Sequence, residues 1–279
     1  MINLNGRILP GNQASLTVGN RAFRYGDGLF ESIRVFEGKM PFFDQHWQRL
    51  LEGMKLLKFE VPDSYSPAFF QQEIAQLTKQ SGNWRVRLTI FRTEGGLYTP
   101  VSDMPEFLIE ASALESSHFQ LNENGLTIGT YDEMLLLSSN HPAIQSFKTC
   151  NALPLVLAGI YKKKQGWDEC LLLNQLGRVA CCGNANVFLV KNNGLHTPSL
   201  GEGCVAGTMR KLILELAMEL EMQVVQSPVH LKDIGSADEI FLTNAIQGLR
   251  WVKTLQGFKK IFNNKLTASL VLALNDKIR

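Results

Sequence analysis

No apolar run in this chain reaches the roughly twenty residues that a membrane-spanning helix needs, so no bilayer span is expected. Dense basic blocks are missing too: a formal charge of +2 over 279 residues gives nucleic acid no electrostatic footprint. The basic run Lys162-Lys163-Lys164 reads as a solvated helix end. Five cysteines, Cys150, Cys170, Cys181, Cys182 and Cys204, form an odd set without a C-x-x-C spacing. That fits a reduced, cytoplasmic protein better than a disulfide scaffold or zinc site. The five histidines, His46, His118, His141, His196 and His230, are scattered and show no metal-ligand spacing. Met1-Ile2-Asn3-Leu4-Asn5-Gly6-Arg7 lacks the charged start and apolar core of a signal peptide. The expectation is a cytoplasmic, metal-free protein with no nucleic-acid or membrane partner.

What is there has the composition of a soluble enzyme, 45% hydrophobic and 19% charged, and room for one large domain or two medium ones. Alternation predicts strands over Leu29 to Phe36, Met40 to Phe43, Trp84 to Phe91 and Glu106 to Ser112. Helical spacing appears from His46 to Leu57 and from Pro67 to Gln80. Ala113 to Gly125 is polar and aperiodic, and reads as a linker. Beyond it the pattern predicts a strand over Leu126 to Tyr131, a polar loop to Ile144 and a helix from Asn151 to Lys164. A hairpin turns at Gln175-Leu176-Gly177, and a strand runs from Asn186 to Lys191. A helix from Thr208 to Glu221 and strands over Gln223 to Gln226 and Glu239 to Thr243 follow. The fold class expected is α+β, with domains over 1–113 and 125–279 joined by a linker over 114–124.

Lys148 stands alone in Ser146-Phe147-Lys148-Thr149-Cys150-Asn151, among small, apolar and hydroxyl side chains. A lysine kept from water can lose its proton near neutral pH, and its amine can then hold an aldehyde cofactor as a Schiff base. A surface lysine at a helix start is the plainer alternative. Gly207-Thr208-Met209-Arg210 opens a helix after a glycine-rich loop, a candidate phosphate cup or merely a cap. Thr243-Asn244-Ala245 closes a strand with short side chains, and Arg49 in His46-Trp47-Gln48-Arg49-Leu50 could fork onto a phosphate.

Taken in order with Tyr25-Gly26-Asp27-Gly28-Leu29-Phe30-Glu31, these blocks resemble the class IV aminotransferases. These are the fold-type IV pyridoxal-phosphate enzymes: branched-chain aminotransferases, D-amino-acid aminotransferases and aminodeoxychorismate lyases. The resemblance runs from about Gly6 to beyond Trp251. It implies a D-amino-acid aminotransferase-like two-domain fold with pyridoxal 5′-phosphate in a cleft between the domains, and a homodimer. It implies that Lys148 carries the cofactor and shuttles a proton. Arg49, the backbone of Thr208 and Met209, and Asn244 with Ala245 are implied to hold the phosphate, while Val205 packs on the ring.

The family motif Gly-x-Val-x-Glu-x-x-x-x-Asn-x-Phe, laid on Gly177, Val179, Asn186 and Phe188, puts Cys181 where a glutamate supports the pyridine nitrogen. A thiol stabilises a pyridinium less well, so a weaker electron sink is expected. Phe30 replaces a tyrosine of the D-amino-acid enzymes, whose Arg-x-His pair is absent, and Leu153 replaces a tyrosine common in branched-chain enzymes. Gly95-Gly96-Leu97-Tyr98 resembles the Gly-Gly-Arg-Gly-Tyr loop of the lyases, with Leu97 in place of the arginine; Arg92, Arg87 or Arg34 could grip a substrate carboxylate instead. The resemblance thus implies a lyase cleaving 4-amino-4-deoxychorismate to 4-aminobenzoate and pyruvate. A branched-chain-type aminotransferase using 2-oxoglutarate, and a cofactor-binding homodimer without turnover, are the alternatives.

Overall fold

Strand β3 (Gly28–Val35) sets the plan of the first unit, because its side chains alternate between two environments. Leu29, Ile33 and Val35 enter a hydrophobic core, whereas Phe30 and Ser32 stay half-exposed on the other face. The computed structural model describes residues 1–13, 15–79, 81–138 and 144–278; Gln80, His141 and part of the loop expected before Ile144 lie outside the described residues. These residues fall into two compact units, 1–118 with 147–151, and 119–146 with 152–279.

In the first unit, β1 (Ile2–Leu4), β2 (Arg7–Leu9), β3, β4 (Trp84–Arg92) and β5 (Pro105–Ala113) form an antiparallel sheet in the order β2-β1-β5-β4-β3. Helices α1 (Arg21–Tyr25), α2 (Phe43–Leu56) and α3 (Pro67–Thr78) accompany it. Trp47, Leu50 and Met54 of α2 join Leu29, Ile33 and Val35 in the core, each burial stabilising by about 1.5–3 kcal/mol. Gly53 lets α2 come close: a Cβ there would stand 2.9 Å from Leu29 Cδ1 and 3.1 Å from Phe147 Cδ1. The strand expected over Met40 to Phe43 is instead a turn running into α2. Pro41 denies a ladder its N–H, and Asp44 suits the positive end of a helix.

The segment 147–151 joins the first unit although the sequence boundary assigns it to the C-terminal domain. The reason is backbone pairing: Phe30 N–H donates to Lys148 O at 2.8 Å and Cys150 N–H to Gly28 O at 2.9 Å. Long-range pairing of this kind leaves no local signal in the sequence.

The second unit carries β6 (Leu126–Leu136), α4 (Leu153–Gln165), β7 (Glu169–Asn174), β8 (Val179–Cys182), β9 (Asn186–Lys191) and β10 (Gly194–Thr197). It continues with α5 (Thr208–Glu219), β11 (Val224–Gln226), α6 (Leu231–Gly235), β12 (Glu239–Asn244), β13 (Gly248–Leu255) and α7 (Lys265–Asp276). Its mixed sheet runs β11-β10-β9-β12-β13-β6-β7-β8, with β7 and β8 forming the expected antiparallel hairpin. Leu171, Val187 and Ile240 belong to a large apolar cluster; Leu172, Cys181 and Tyr131 belong to a second one. Among the described residues no helix is long and apolar enough to cross a membrane.

Candidate active site

Lys148 lies beside β3, half-buried, with its Nζ 4.5 Å from the centroid of the Phe30 ring. Burial pushes its amine down from the usual lysine value to about 8, and the Arg49 guanidinium pushes the same way. Arg87 and Arg85 add to the depression, and Glu31 opposes it. An amine titrating there is a usable nucleophile and base at neutral pH.

Glu31 follows Phe30 on β3 and is buried, so its carboxylate must find partners in a low-dielectric setting. Arg49 of α2 supplies a fork, Nε donating to Oε1 at 2.7 Å and Nη2 to Oε2 at 2.6 Å. His46 Nδ1 lies 2.7 Å from Oε2. Burial alone would raise the Glu31 carboxyl; the Arg49 charge and the His46 hydrogen bond outweigh it and bring it to about 2. Burial lowers the His46 imidazole, against the pull of Glu31.

On the other face of β3, the Arg87 guanidinium stacks 3.6 Å from the Phe30 ring centroid. Phe30 pairs with Thr89 in register, which puts Arg87 two residues along the same face of β4. Arg34 donates to the carbonyls of Ser116 and His118 at 2.8 and 2.9 Å. Arg92 is buried and bridges Asp27 at 3.0 Å and Asp103 at 2.6 Å while donating to the carbonyl of Leu57 at 2.6 Å. Leu97 and Tyr98 are exposed on a loop pinned from beneath by Arg21, which donates to the carbonyls of Gly95 at 3.0 Å and Leu97 at 2.6 Å.

The second unit builds a different feature around the mouth of α5. Gly207 is the N-cap and has no side chain to satisfy the first amides of the helix, those of Thr208 and Met209 among them. Asn186 of β9 braces this turn, its Nδ2 donating to Val205 O at 2.8 Å. A Cβ on Gly207 would meet Asn186 Oδ1 at 2.0 Å, so the position admits only glycine without displacement. Thr243 is paired with Asn186 across the strands, and its buried Oγ1 has no hydrogen-bond partner. Asn244 spends its side chain locally: Oδ1 accepts the amides of Ile246 at 3.0 Å and Gln247 at 2.8 Å, which leaves Ala245 on the tight turn. Bare amides at a helix mouth with an orphaned hydroxyl in the same strand pair fit an anion such as a phosphate.

Cys181 lies on β8 against Tyr131, Cys170, Leu172 and Cys204. Burial pushes its thiol well up from the usual value, and Cys204 and Cys170 push in the same direction, so the side chain is neutral. The first unit thus offers an amine suited to an aldehyde, and the second, by itself, a cradle suited to an anion. Glu31 and Asn186 carry much of this geometry, and the sequence alone assigns neither of them a role. For Glu31 the signal was present: an acid on the core-facing side of an alternating strand requires a cationic partner.

The family model for amino-transferase class IV matches residues 28–255. A putative branched-chain-amino-acid aminotransferase of Methanocaldococcus jannaschii is 29% identical over 282 residues, covering 100% of this chain and 95% of that protein. The aminodeoxychorismate lyase of Bacillus subtilis is 28% identical over 260 residues, covering 88% of this chain and 83% of that protein. The crystal structure of 4-amino-4-deoxychorismate lyase from Pseudomonas aeruginosa superposes with a TM-score of 0.84 at 28% identity, covering 99% of this chain and 98% of that one.

Proposed function

Because this chain belongs to the class IV aminotransferase family, an enzyme family of aminotransferases and lyases that uses pyridoxal phosphate, we propose that it cleaves 4-amino-4-deoxychorismate to 4-aminobenzoate and pyruvate. The observation that carries this choice is the neutral, buried thiol of Cys181 at the motif position of the ring-nitrogen carboxylate. When bound, the cofactor supplies the electron sink for charge left on the amine-bearing carbon of the substrate. A thiol supports that sink weakly, and the lyase reaction asks least of it.

In that reaction Lys148 takes the proton from the amine-bearing carbon. The bond between the ring carbon and the enol-ether oxygen breaks, its electron pair leaves with the oxygen, and the enolate so released takes up a proton at its methylene carbon to become pyruvate. The ring becomes aromatic, no water is consumed, and aromatisation supplies driving force that amino transfer lacks. A base titrating near 8 is matched to this work at physiological pH. Arg87, stacked on Phe30, presents a planar guanidinium suited to a substrate carboxylate. Arg49, the amides of Thr208 and Met209 and the turn at Asn244 and Ala245 are the groups we assign to the phosphate, with Val205 against the ring.

A branched-chain-type aminotransferase is the second reading, favoured by the full-length similarity to the Methanocaldococcus jannaschii protein. We assign a homodimer as well: α4 leaves Leu153, Val156 and Ile160 exposed at helical spacing, an apolar stripe that a second copy would cover. Five free thiols accord with a cytoplasmic setting.

The deciding experiment supplies the cofactor-loaded protein with aminodeoxychorismate and, separately, with branched-chain amino acids and 2-oxoglutarate. Pyruvate with 4-aminobenzoate is the expected product. Amino transfer without pyruvate would overturn the lyase assignment, and an absence of borohydride-sensitive visible absorbance would overturn the cofactor assignment. Failure of both assays, with Cys181→Glu restoring one, would identify a binder without turnover.

A further inference from the structure

A carboxylate is an odd neighbour for an arginine meant to attract a phosphate, since by Coulomb's law it weakens the pull. Yet Glu31 takes both Nε and Nη2 of Arg49 in a two-point fork. A fork fixes the plane of a guanidinium and hence the direction of every bond it makes. His46 holds Glu31 Oε2 from a second side, at 2.7 Å. His46 and Arg49 are three residues apart on α2, so one helix face delivers both to the same carboxylate. All three side chains are buried, and protein contacts themselves order the guanidinium. Ordering a long arginine side chain in advance removes that cost from binding.

We propose that Glu31 and His46 are positioning residues, which hold the Arg49 guanidinium in the orientation that grips the cofactor phosphate. The inference rests on the cofactor reading above. It makes a prediction opposite to charge alone: weakening the negative partner of Arg49 loosens phosphate binding instead of tightening it.

The test compares pyridoxal 5′-phosphate with pyridoxal, which lacks the phosphate, by absorbance titration of the full chain stripped of cofactor. Glu31→Asp keeps the charge and shortens the arm by one methylene, so the fork cannot reach both donors. The expected result is an affinity for pyridoxal 5′-phosphate about ten- to a hundredfold weaker, with the affinity for pyridoxal unchanged. Unchanged affinity for both probes would overturn the proposal. Equal losses for both would also overturn it, because a merely structural role or an effect through Lys148 does not distinguish them. A wild-type protein that binds the two probes equally would instead remove the cofactor reading, and the inference with it. Should Glu31→Asp fail to fold, His46 serves. His46→Asn places an amide donor where Nδ1 stands and should keep the preference for the phosphorylated probe; His46→Leu should lose several-fold of it. Identical behaviour of those two variants would overturn the proposal.

Discussion

Phe30 and Lys148 hold each other twice: the Phe30 amide donates to the Lys148 carbonyl at 2.8 Å, and the Lys148 amine stands 4.5 Å from the Phe30 ring centroid. The backbone bond fixes where the lysine side chain begins, and the ring limits the water that reaches its end. Arg87 lies 3.6 Å from the same ring, which brings a second cation to the neighbourhood.

The first prediction concerns the titration of that amine. With Lys148 pushed down to about 8, about one side chain in ten is neutral at pH 7, against about one in 2,500 for an ordinary lysine. Capture of pyridoxal phosphate by the cofactor-free protein should therefore quicken about tenfold from pH 6 to pH 7 and level off above pH 8. Arg87→Met removes a charge that lowers the amine and should move the midpoint up; Glu31→Gln should move it down. Stopped-flow absorbance gives the profile, and a midpoint of 10 or higher in the wild-type protein would sink the assignment.

Acid stability follows from Glu31. Its carboxyl is near 2 in the folded protein against an ordinary 4.5, so the folded state binds fewer protons over that interval. The stabilisation is fully present above pH 4.5 and is lost as pH falls toward 2; linkage puts it at about 3 kcal/mol. The gap in unfolding free energy between wild type and Glu31→Gln should narrow between pH 5 and pH 3. Urea titrations measure it, and a gap that is constant or widens would contradict the ion-pair account.

Gly207→Ala tests the mouth of α5. The φ of −61° at Gly207 suits any residue, so the penalty is purely steric, set by Asn186 Oδ1 at 2.0 Å from the new Cβ. The substitution should cost about 1–3 kcal/mol and weaken binding of the phosphorylated cofactor. Asn186→Ala should recover part of the loss by removing the obstacle, a coupling that a double-mutant cycle reads directly. Strict additivity of the two substitutions would show that they do not meet.

Cys181→Glu buries a carboxyl among Tyr131, Leu172 and two other thiols. The cofactor-free variant should be less stable than wild type by about 1–3 kcal/mol. Added pyridoxal phosphate should then stabilise the variant more than it stabilises wild type, since the ring nitrogen gives the carboxyl its partner. Thermal unfolding with and without cofactor makes the comparison; equal stabilisation would separate Cys181 from the ring nitrogen.

Much of this site is legible in the chain because its signals are local. Lys148 announces itself by the charges missing around it, and α5 by the glycine at its mouth. The rest depends on contacts made at a distance. Arg49 reads from sequence as a lone cation, since its partner Glu31 lies on a strand and the helix must dock before they meet. Arg92 looked free to receive a substrate because Asp27 and Asp103 approach it only once β4 and its flanking loops are in place. The strand pattern over Met40 to Phe43 rests on four residues, too few for periodicity to outweigh Pro41.

Cys181 and Cys182 are identical neighbours whose side chains enter two different clusters. Sliding β8 by one residue would put Ala180 or Gly183 where one of these two thiols stands, so the filling of both clusters depends on the register. With all four residues of β8 buried, packing penalises such a slip. The hairpin end holds the same register, because Asn174 Oδ1 accepts the amides of Leu176 at 3.0 Å and Arg178 at 3.1 Å. Asn174 and the packing of β8 together keep Cys181, and not its identical neighbour, beside Tyr131 and Leu172.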